Sequence, residues 1–378
     1  MENRIKVCWY CEKWQPGGIQ AVQVNLIHHM NLDTIDFDIV VSEDDTKLFD
    51  DALSNLGIKK IVTLDKKYNS PGRRVLANIF AMNKLLKKEN YDVVHFNACH
   101  GVELIYVFLA WLHRVPKRIV HCRNNDIGAG GKSRKIKIIC HHICKNVFGL
   151  FANVRLANSD LAAEWLFGKK QLQKGRVQIL KNGIDANKCA FNMAKRIEMR
   201  ENAGLTNKLV IGHIGHFSYQ KNHEFLLKVF ERILKCRDDA ILLLIGSGDG
   251  EAEIRQLSCE LGIEQKIIFW GVTNDVPAVL NMMDVFVFPS RFEGFGNVLI
   301  EAQASGLDCF ASEGVIPKAV EITNRMHWIS LEKSYDDWAD IILNNMDIYL
   351  RKSNVEQVIS AGYDISNMAK NLEKIYCM

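Results

Sequence analysis

Proline is scarce in this sequence, 6 among 378 residues, and no residue type dominates. That excludes collagen-like and low-complexity architectures. Long apolar runs are missing as well. None reaches the roughly 18–20 residues needed to cross a bilayer. The longest candidate, Val102 to Leu112, contains Glu103 and stops at His113 and Arg114. No signal-peptide core follows Met1, where Glu2-Asn3-Arg4 leads straight into a strand-like segment. The expectation is a soluble, cytoplasmic protein. Eleven cysteines, an odd number, argue against a disulfide framework. Cys8-Trp-Tyr-Cys11 has redox spacing but ends a strand instead of opening a helix. Cys140-His-His-Ile-Cys144 lacks a second ligand pair and reads as structural.

What is present is a globular chain, 48% hydrophobic and 24% charged, too apolar for disorder. Its length suggests two domains of about 100–200 residues each. The net charge of +4 hides an asymmetry: residues 1–195 carry 30 Lys and Arg against 18 Asp and Glu, and the remainder 18 against 26. The cations run through Lys59–Lys67, Arg73-Arg74, Lys84–Lys88, Arg114–Arg123 and Lys132–Lys145, the last interleaved with aliphatics at near-helical spacing. Such a half suits a pyrophosphate substrate or an anionic membrane surface. A nucleic-acid partner is not expected, because the basic runs lack interleaved aromatics and a binding motif.

Short β-branched runs alternate with amphipathic stretches through residues 1–190, and the alternation restarts near residue 205. This order implies two α/β, Rossmann-like, doubly wound domains, 1–190 and 205–355, with residues 360–378 as a helix packing back on the first. Residues 182–207 read as a weakly structured linker, and Asp308–Ala311 as the last strand of the second sheet. In such folds the ligand lies at the carboxyl ends of the strands, here in a central cleft between the two domains.

The most specific stretch is Phe288-Pro-Ser-Arg-Phe-Glu-Gly-Phe-Gly-Asn-Val-Leu-Ile-Glu301. A glycine-bearing turn that opens a helix suits phosphate. Glu293 and Glu301 would repel the phosphate itself but accept hydrogen bonds from sugar hydroxyls on either side of it. Asp36-Phe-Asp38 has metal-binding DxD spacing but lies far in order from this stretch, and reads as a connector before an early strand.

These motifs resemble the GT-B-fold retaining glycosyltransferases of family 4, in the branch that builds capsular and exopolysaccharides. Their E-x7-E element falls on Glu293 and Glu301, between Pro289-Ser290 and Glu301-Ala-Gln-Ala-Ser-Gly306. The resemblance implies that Glu293 contacts the donor sugar and Glu301 the ribose. It gives the diphosphate to amides of Gly294, Phe295, Gly296, Asn297 and Val298. His213-Ile-Gly-His-Phe-Ser-Tyr-Gln-Lys221 is similar to the family's Gly-Arg…Lys element, with Gly215 and Lys221 in place and His216 where the Arg stands. The resemblance then implies that Lys221 supplies most of the charge stabilisation for the leaving diphosphate. Gly246 and Val272 fall on segments that line the nucleobase pocket. In the first half, Gly17-Gly18 is similar to the family's Gly-Gly loop, and His95 and Asn97 end a strand at the cleft edge. His121 resembles the histidine that touches the donor sugar, and Arg123 stands where many relatives have a second His.

The resemblance implies a retaining, metal-independent transfer with no cofactor beyond a nucleotide-sugar co-substrate, a UDP-sugar. The acceptor is expected to be a lipid-linked saccharide at the inner face of the membrane. Lys221, Glu293 and His121 are the expected catalytic residues. Two rival readings are an epimerase acting on sugar nucleotides with the same fold, and a non-catalytic partner subunit.

Overall fold

A computed structural model describes residues 4–64, 68, 70–127, 131–347 and 351–378; the side chains of residues 131–133 are likewise left aside. Lys66, Lys67 and the side chain of Lys132, counted above in the basic runs, therefore lie outside the described residues. The chain divides into two compact units, Met1–Gly183 with Ile365–Met378, and Ile184–Asp364. The division falls between Gly183 and Ile184, not after residue 190.

The first unit is built on a seven-stranded sheet: β1 Ile5–Trp14, β2 Ile35–Asp44, β3 Lys59–Val62, β4 Val93–Ala98, β5 Lys117–Cys122, β6 Val154–Ala157 and β7 Gln178–Ile179. Their order is β3-β2-β1-β4-β5-β6-β7, with every pairing parallel. Helices cover both faces, so the central strands are buried through consecutive residues such as Val7–Cys11. Alternate residues serve two cores. Val7, Trp9 and Cys11 face one and Cys8 and Tyr10 the other. Cys8 and Cys11 thus lie within the strand on opposite faces, and both thiols are free. Burial pushes Cys11 up to about 12, so neither position has the activated thiolate that redox chemistry needs.

Asp36 and Asp38 stand inside β2, not in a connector before it. Asp38 accepts the Tyr91 hydroxyl at 2.7 Å, and Asp36 pairs with Arg4 at 3.7 Å. The helix Ile365–Cys377 completes this unit, burying Ile365, Met368, Ala369, Leu372, Ile375 and Tyr376. These positions recur every three to four residues, one stripe of an α-helix. Lys117 closes the helix by donating to the carbonyls of Ile375 and Tyr376 at 2.8 and 2.7 Å.

The second unit holds six parallel strands: β8 Leu209–Ile214, β9 Ala240–Ile245, β10 Ile267–Gly271, β11 Val285–Phe288, β12 Asp308–Ser312 and β13 Met326–Ile329, in the order β10-β9-β8-β11-β12-β13. β13, which the sequence reading stopped short of, pairs with β12 through Cys309–Met326 to Ser312–Ile329. In both sheets the order reverses beside the first strand, between β1 and β4 and between β8 and β11. These are the switch points at which α/β sheets bind ligands.

The expected linker is partly a helix, Met193–Asn202, belonging to the second unit. It lacks a strong apolar stripe and is held by charge. Arg196 and Arg200 both reach Asp284, the latter at 3.1 Å, and Asp284 also accepts the Val210 amide at 2.7 Å at the start of β8. Asp284→Ala would strand two partly buried guanidinium groups, a loss of about 3–5 kcal/mol. Thermal unfolding followed by hydrogen exchange checks this: the second unit should open early while β1–β7 keep their protection.

Candidate active site

In the second unit the site is assembled by loops that follow β8, β9 and β11. The Gly215 amide donates to Ile245 O at 2.9 Å and the Phe217 amide to Ser247 O at 3.0 Å, zipping the first two loops together. Contact this close needs glycine. Gly246 has φ +143°, and a Cβ on it would sit 2.1 Å from Gly215 O. A Cβ on Gly215 would meet the Lys221 stem at 2.9 Å, so Lys221 is threaded over bare backbone. His216, half-buried, lies against Gly248 on the β9 loop.

The β8 and β11 loops are joined as well. Arg291 donates its amide to Gln220 O at 2.8 Å and its guanidinium to Tyr219 O at 2.7 Å. Asn222 donates to Pro289 O at 3.0 Å. These ties bring Lys221 and Glu293 together: Nζ lies 2.7 Å from Oε1 and 4.4 Å from the centre of the Phe288 ring. Both side chains are largely buried. Beneath them lie His213 and His223, packed edge to face at 4.7 Å. His213 donates Nδ1–H to Val287 O at 2.8 Å. Burial holds both rings neutral, pushing His213 down to about 3 and His223 to about 2.

Past Glu293 the chain turns through Gly294, the buried Phe295 and Gly296, whose φ of +97° favours glycine. The helix Asn297–Ala304 then starts with no side-chain cap, because its N-cap is Gly296. Such an end presents amides and a positive dipole. Val298 lies in the first turn. Glu301, a turn further on, is half-buried, and its carboxyl has no hydrogen-bond or ion-pair partner among the described residues. Burial pushes it up to about 7. Val272 is exposed just beyond β10 and follows Gly271, whose carbonyl accepts the Gly246 amide at 2.9 Å.

The first unit gathers its candidates at the carboxyl ends of β1, β4 and β5. Gly17, in extended conformation, precedes the helix Gly18–His28, which also begins without a side-chain cap. His95, Asn97, His121 and Arg123 project to one face of the sheet, and all four are buried. Asn97 Oδ1 accepts from Arg123 Nε at 2.9 Å, and Asn182 Oδ1 from Nη1 at 2.8 Å. The three expected catalytic residues are thus divided, His121 in the first unit and Lys221 with Glu293 in the second.

A second set of contacts is absent from the sequence reading. Tyr376 Oη lies 2.7 Å from His95 Nδ1, and His95 Nε2 lies 3.2 Å from His121 Nδ1. Trp9 stacks on His95 at 4.9 Å. Burial and the nearby Arg123 keep both imidazoles uncharged. Each link then needs one hydrogen, and two polarities are possible. If hydrogens ran from His121 toward Tyr376, the phenolic hydrogen would be left among Trp9, Phe37 and other apolar groups. If Tyr376 donates to His95 and His95 Nε2–H donates to His121, only His121 Nε2–H is left over. The second arrangement orphans fewer buried groups and makes His121 a donor. Tyr376, on a helix reached last in the chain, carries no local signal for this role.

Other clusters are spoken for by the protein itself. Glu12, His100 and Glu103 converge within 4.8 Å, but Glu103 accepts the Cys99 and His100 amides and Glu12 pairs with Arg74. His141 accepts the Gly101 amide at 2.9 Å and stacks on Trp165, leaving the Cys140–Cys144 segment without a free imidazole at that position.

Tyr376→Phe removes the hydrogen that sets the polarity while keeping the ring. Long-range ¹H–¹⁵N spectra should show His121 almost wholly as the Nε2–H tautomer in the parent, and a Nδ1–H population in the variant. An unchanged tautomer would show that Tyr376 does not direct the chain.

Comparison with known proteins gives a consistent assignment. Residues 16–188 match the model of "Glycosyltransferase Family 4", and residues 195–358 that of "Glycosyl transferases group 1". The capsular polysaccharide biosynthesis glycosyltransferase CapH of Staphylococcus aureus is 26% identical over 98% of both chains. The Escherichia coli UDP-Gal:α-D-GlcNAc-diphosphoundecaprenol α-1,3-galactosyltransferase is 25% identical over 63% of this chain and 62% of its own. The crystal structure of Anabaena HepE with UDP and glucose superposes with a TM-score of 0.78, covering 98% of this chain and 99% of that one at 18% identity, which shows the shared fold. The chain belongs to glycosyltransferase family 4 and has the GT-B fold.

Proposed function

We propose that this glycosyltransferase moves a hexose from a UDP-sugar to a hydroxyl of a lipid-linked saccharide during assembly of a cell-surface polysaccharide, with retention of anomeric configuration. The observation that carries the reading is the Lys221–Glu293 pair beside the start of the helix Asn297–Ala304, whose N-cap is Gly296. Lys221 is a largely buried ammonium that can exchange its carboxylate partner, Glu293, for a phosphate oxygen. Glu293, once released, accepts hydrogen bonds from donor-sugar hydroxyls. The amides from Gly294 to Val298 hold the diphosphate, so that no metal need balance its charge. Glu301 receives the ribose, whose hydroxyls supply the partners that its carboxyl otherwise lacks. The acceptor class follows the names of the relatives, one acting on a diphosphoundecaprenol-linked sugar and one in capsule synthesis.

In the reaction, the bond from the anomeric carbon to the β-phosphate oxygen breaks as the bond to the acceptor oxygen forms on the same face. The departing phosphate oxygen takes the acceptor's proton, which yields UDP and the extended saccharide. Lys221 and the helix amides stabilise the charge that develops on that oxygen. His121, as an Nε2–H donor, holds a sugar oxygen near the reacting carbon.

Lys221→Ala should lower kcat at least about a hundredfold, the scale for removing one preorganised charge-stabilising donor. Glu293→Ala should do likewise; each variant also strands the other member of a largely buried ion pair, so both melting temperatures should fall and rates are compared at a temperature where the variants stay folded. Turnover of a UDP-hexose panel measures it, and near-normal rates in both variants would refute the assignment.

The same proposal places the enzyme at an anionic membrane surface. Three neighbouring helices of the first unit, Pro71–Lys88, Ile105–Leu112 and Gly131–Phe148, expose Leu76 and Phe80, Trp111 and Leu112, and a row of Ile136, Ile139, Ile143 and Val147. Lys84, Lys87, Lys88, Lys135 and Lys137 flank them. Apolar residues that wet a headgroup layer, bordered by cations, fit peripheral binding. No helix among the described residues is long and apolar enough to cross a membrane. Co-sedimentation with phosphatidylglycerol vesicles should be salt-sensitive and fall at least tenfold in Ile139→Glu/Ile143→Glu. Equal binding to neutral vesicles would refute it.

A further inference from the structure

Arg123 sits on the first unit's sheet with a charge that no carboxylate among the described residues answers. It is only 6% exposed, and its partners are two carboxamide oxygens, of Asn97 and Asn182. Neutral acceptors offset a guanidinium poorly once it has left water. The titratable groups that bear on it are Tyr376, Cys99 and Cys122, with no carboxylate among them. Burial keeps all three protonated by pushing the hydroxyl and thiols upward, Cys122 to about 12. Among the described residues the cation is therefore uncompensated, and burial pushes Arg123 itself down to about 10, still charged at neutral pH.

The unfilled atoms around it are mostly of one kind. Arg123 Nη2 and Asn97 Nδ2 are buried and have no partner among the described residues, and neither is His121 Nε2 partnered. The first two are donors by chemistry, and the third by the polarity of the Tyr376–His95–His121 chain. One nearby acceptor is also open, Asn158 Oδ1, on an amide whose Nδ2 donates to Arg123 O at 3.3 Å. A fixed positive charge with two adjacent empty donors selects an oxyanion.

We infer that Arg123 and Asn97 form an anion subsite for the acceptor, which therefore carries a phosphate or carboxylate group recognised by the first unit. Arg123 supplies the charge and one N–H from Nη2. Asn97 supplies a second from Nδ2, while its Oδ1 holds the guanidinium in place. His121 Nε2–H stays available to a sugar oxygen beside them. This rests on the proposed function, since it describes that reaction's second substrate, but its charge argument concerns the first unit alone.

Calorimetric titration of the full chain tests it, with and without saturating UDP. Two probes separate the possible sources of the oxyanion: geranyl diphosphate for a lipid phosphate, and methyl glucuronide for an acidic sugar. The parent should bind at least one, and the probe that binds identifies the group. Arg123→Gln should weaken that probe at least tenfold and leave UDP affinity unchanged. Asn97→Ala, which keeps the cation, should weaken it several-fold and serves if the first variant folds poorly. Absence of binding by the parent overturns the subsite, as does equal binding by both variants. An equal loss of UDP affinity in Arg123→Gln overturns it too, because the anion would then be the donor's. Lys221→Ala tells the two readings apart. It should weaken UDP and spare the probe, and if it leaves UDP untouched, the donor assignment fails while the Arg123 result stands.

Discussion

A charge removed from water must be met by another charge or by several well-aimed dipoles, and that requirement organises this protein. In the second unit it is satisfied internally. Lys221 and Glu293 neutralise one another at 2.7 Å in a largely buried setting, above two imidazoles that burial keeps neutral. Their proximity depends on backbone ties between the β8 and β11 loops and on bare glycine at Gly215 and Gly246. On the proposed reading, a diphosphate entering there would take the place of Glu293 as the partner of Lys221 instead of meeting a naked cation.

The first unit treats charge differently. Arg123 has only amide oxygens, and the histidines beside it are neutral links between a tyrosine and an open N–H. One unit therefore carries a balanced pair and the other an unbalanced cation with free donors. The surplus of 30 basic over 18 acidic residues in residues 1–195 is thus not only a surface property, since part of it reaches the sheet.

Much of this was legible in the sequence. Parallel α/β architecture follows from short β-branched runs separated by amphipathic stretches, an order that both sheets reproduce. The Glu293–Glu301 stretch was legible because a strand end, glycines and a helix start are all local signals. The helix Met193–Asn202 was not, because ion pairs to Asp284 hold it and no apolar stripe announces it. β13 was missed since Met326–Ile329 is four residues long and its stability comes from its neighbour β12. Tyr376 lies 281 residues from His95 in the chain, and no spacing rule spans that distance.

The helix Ile365–Cys377 has a consequence for how the polypeptide matures. It fills the first unit's core and supplies the phenol that orients two histidines, yet it follows all of the second unit in the chain. During vectorial synthesis the whole of Ile184–Asp364 leaves the ribosome before the first unit has its last structural piece. The unit that comes earlier in the chain therefore completes its core only after the later one has been made.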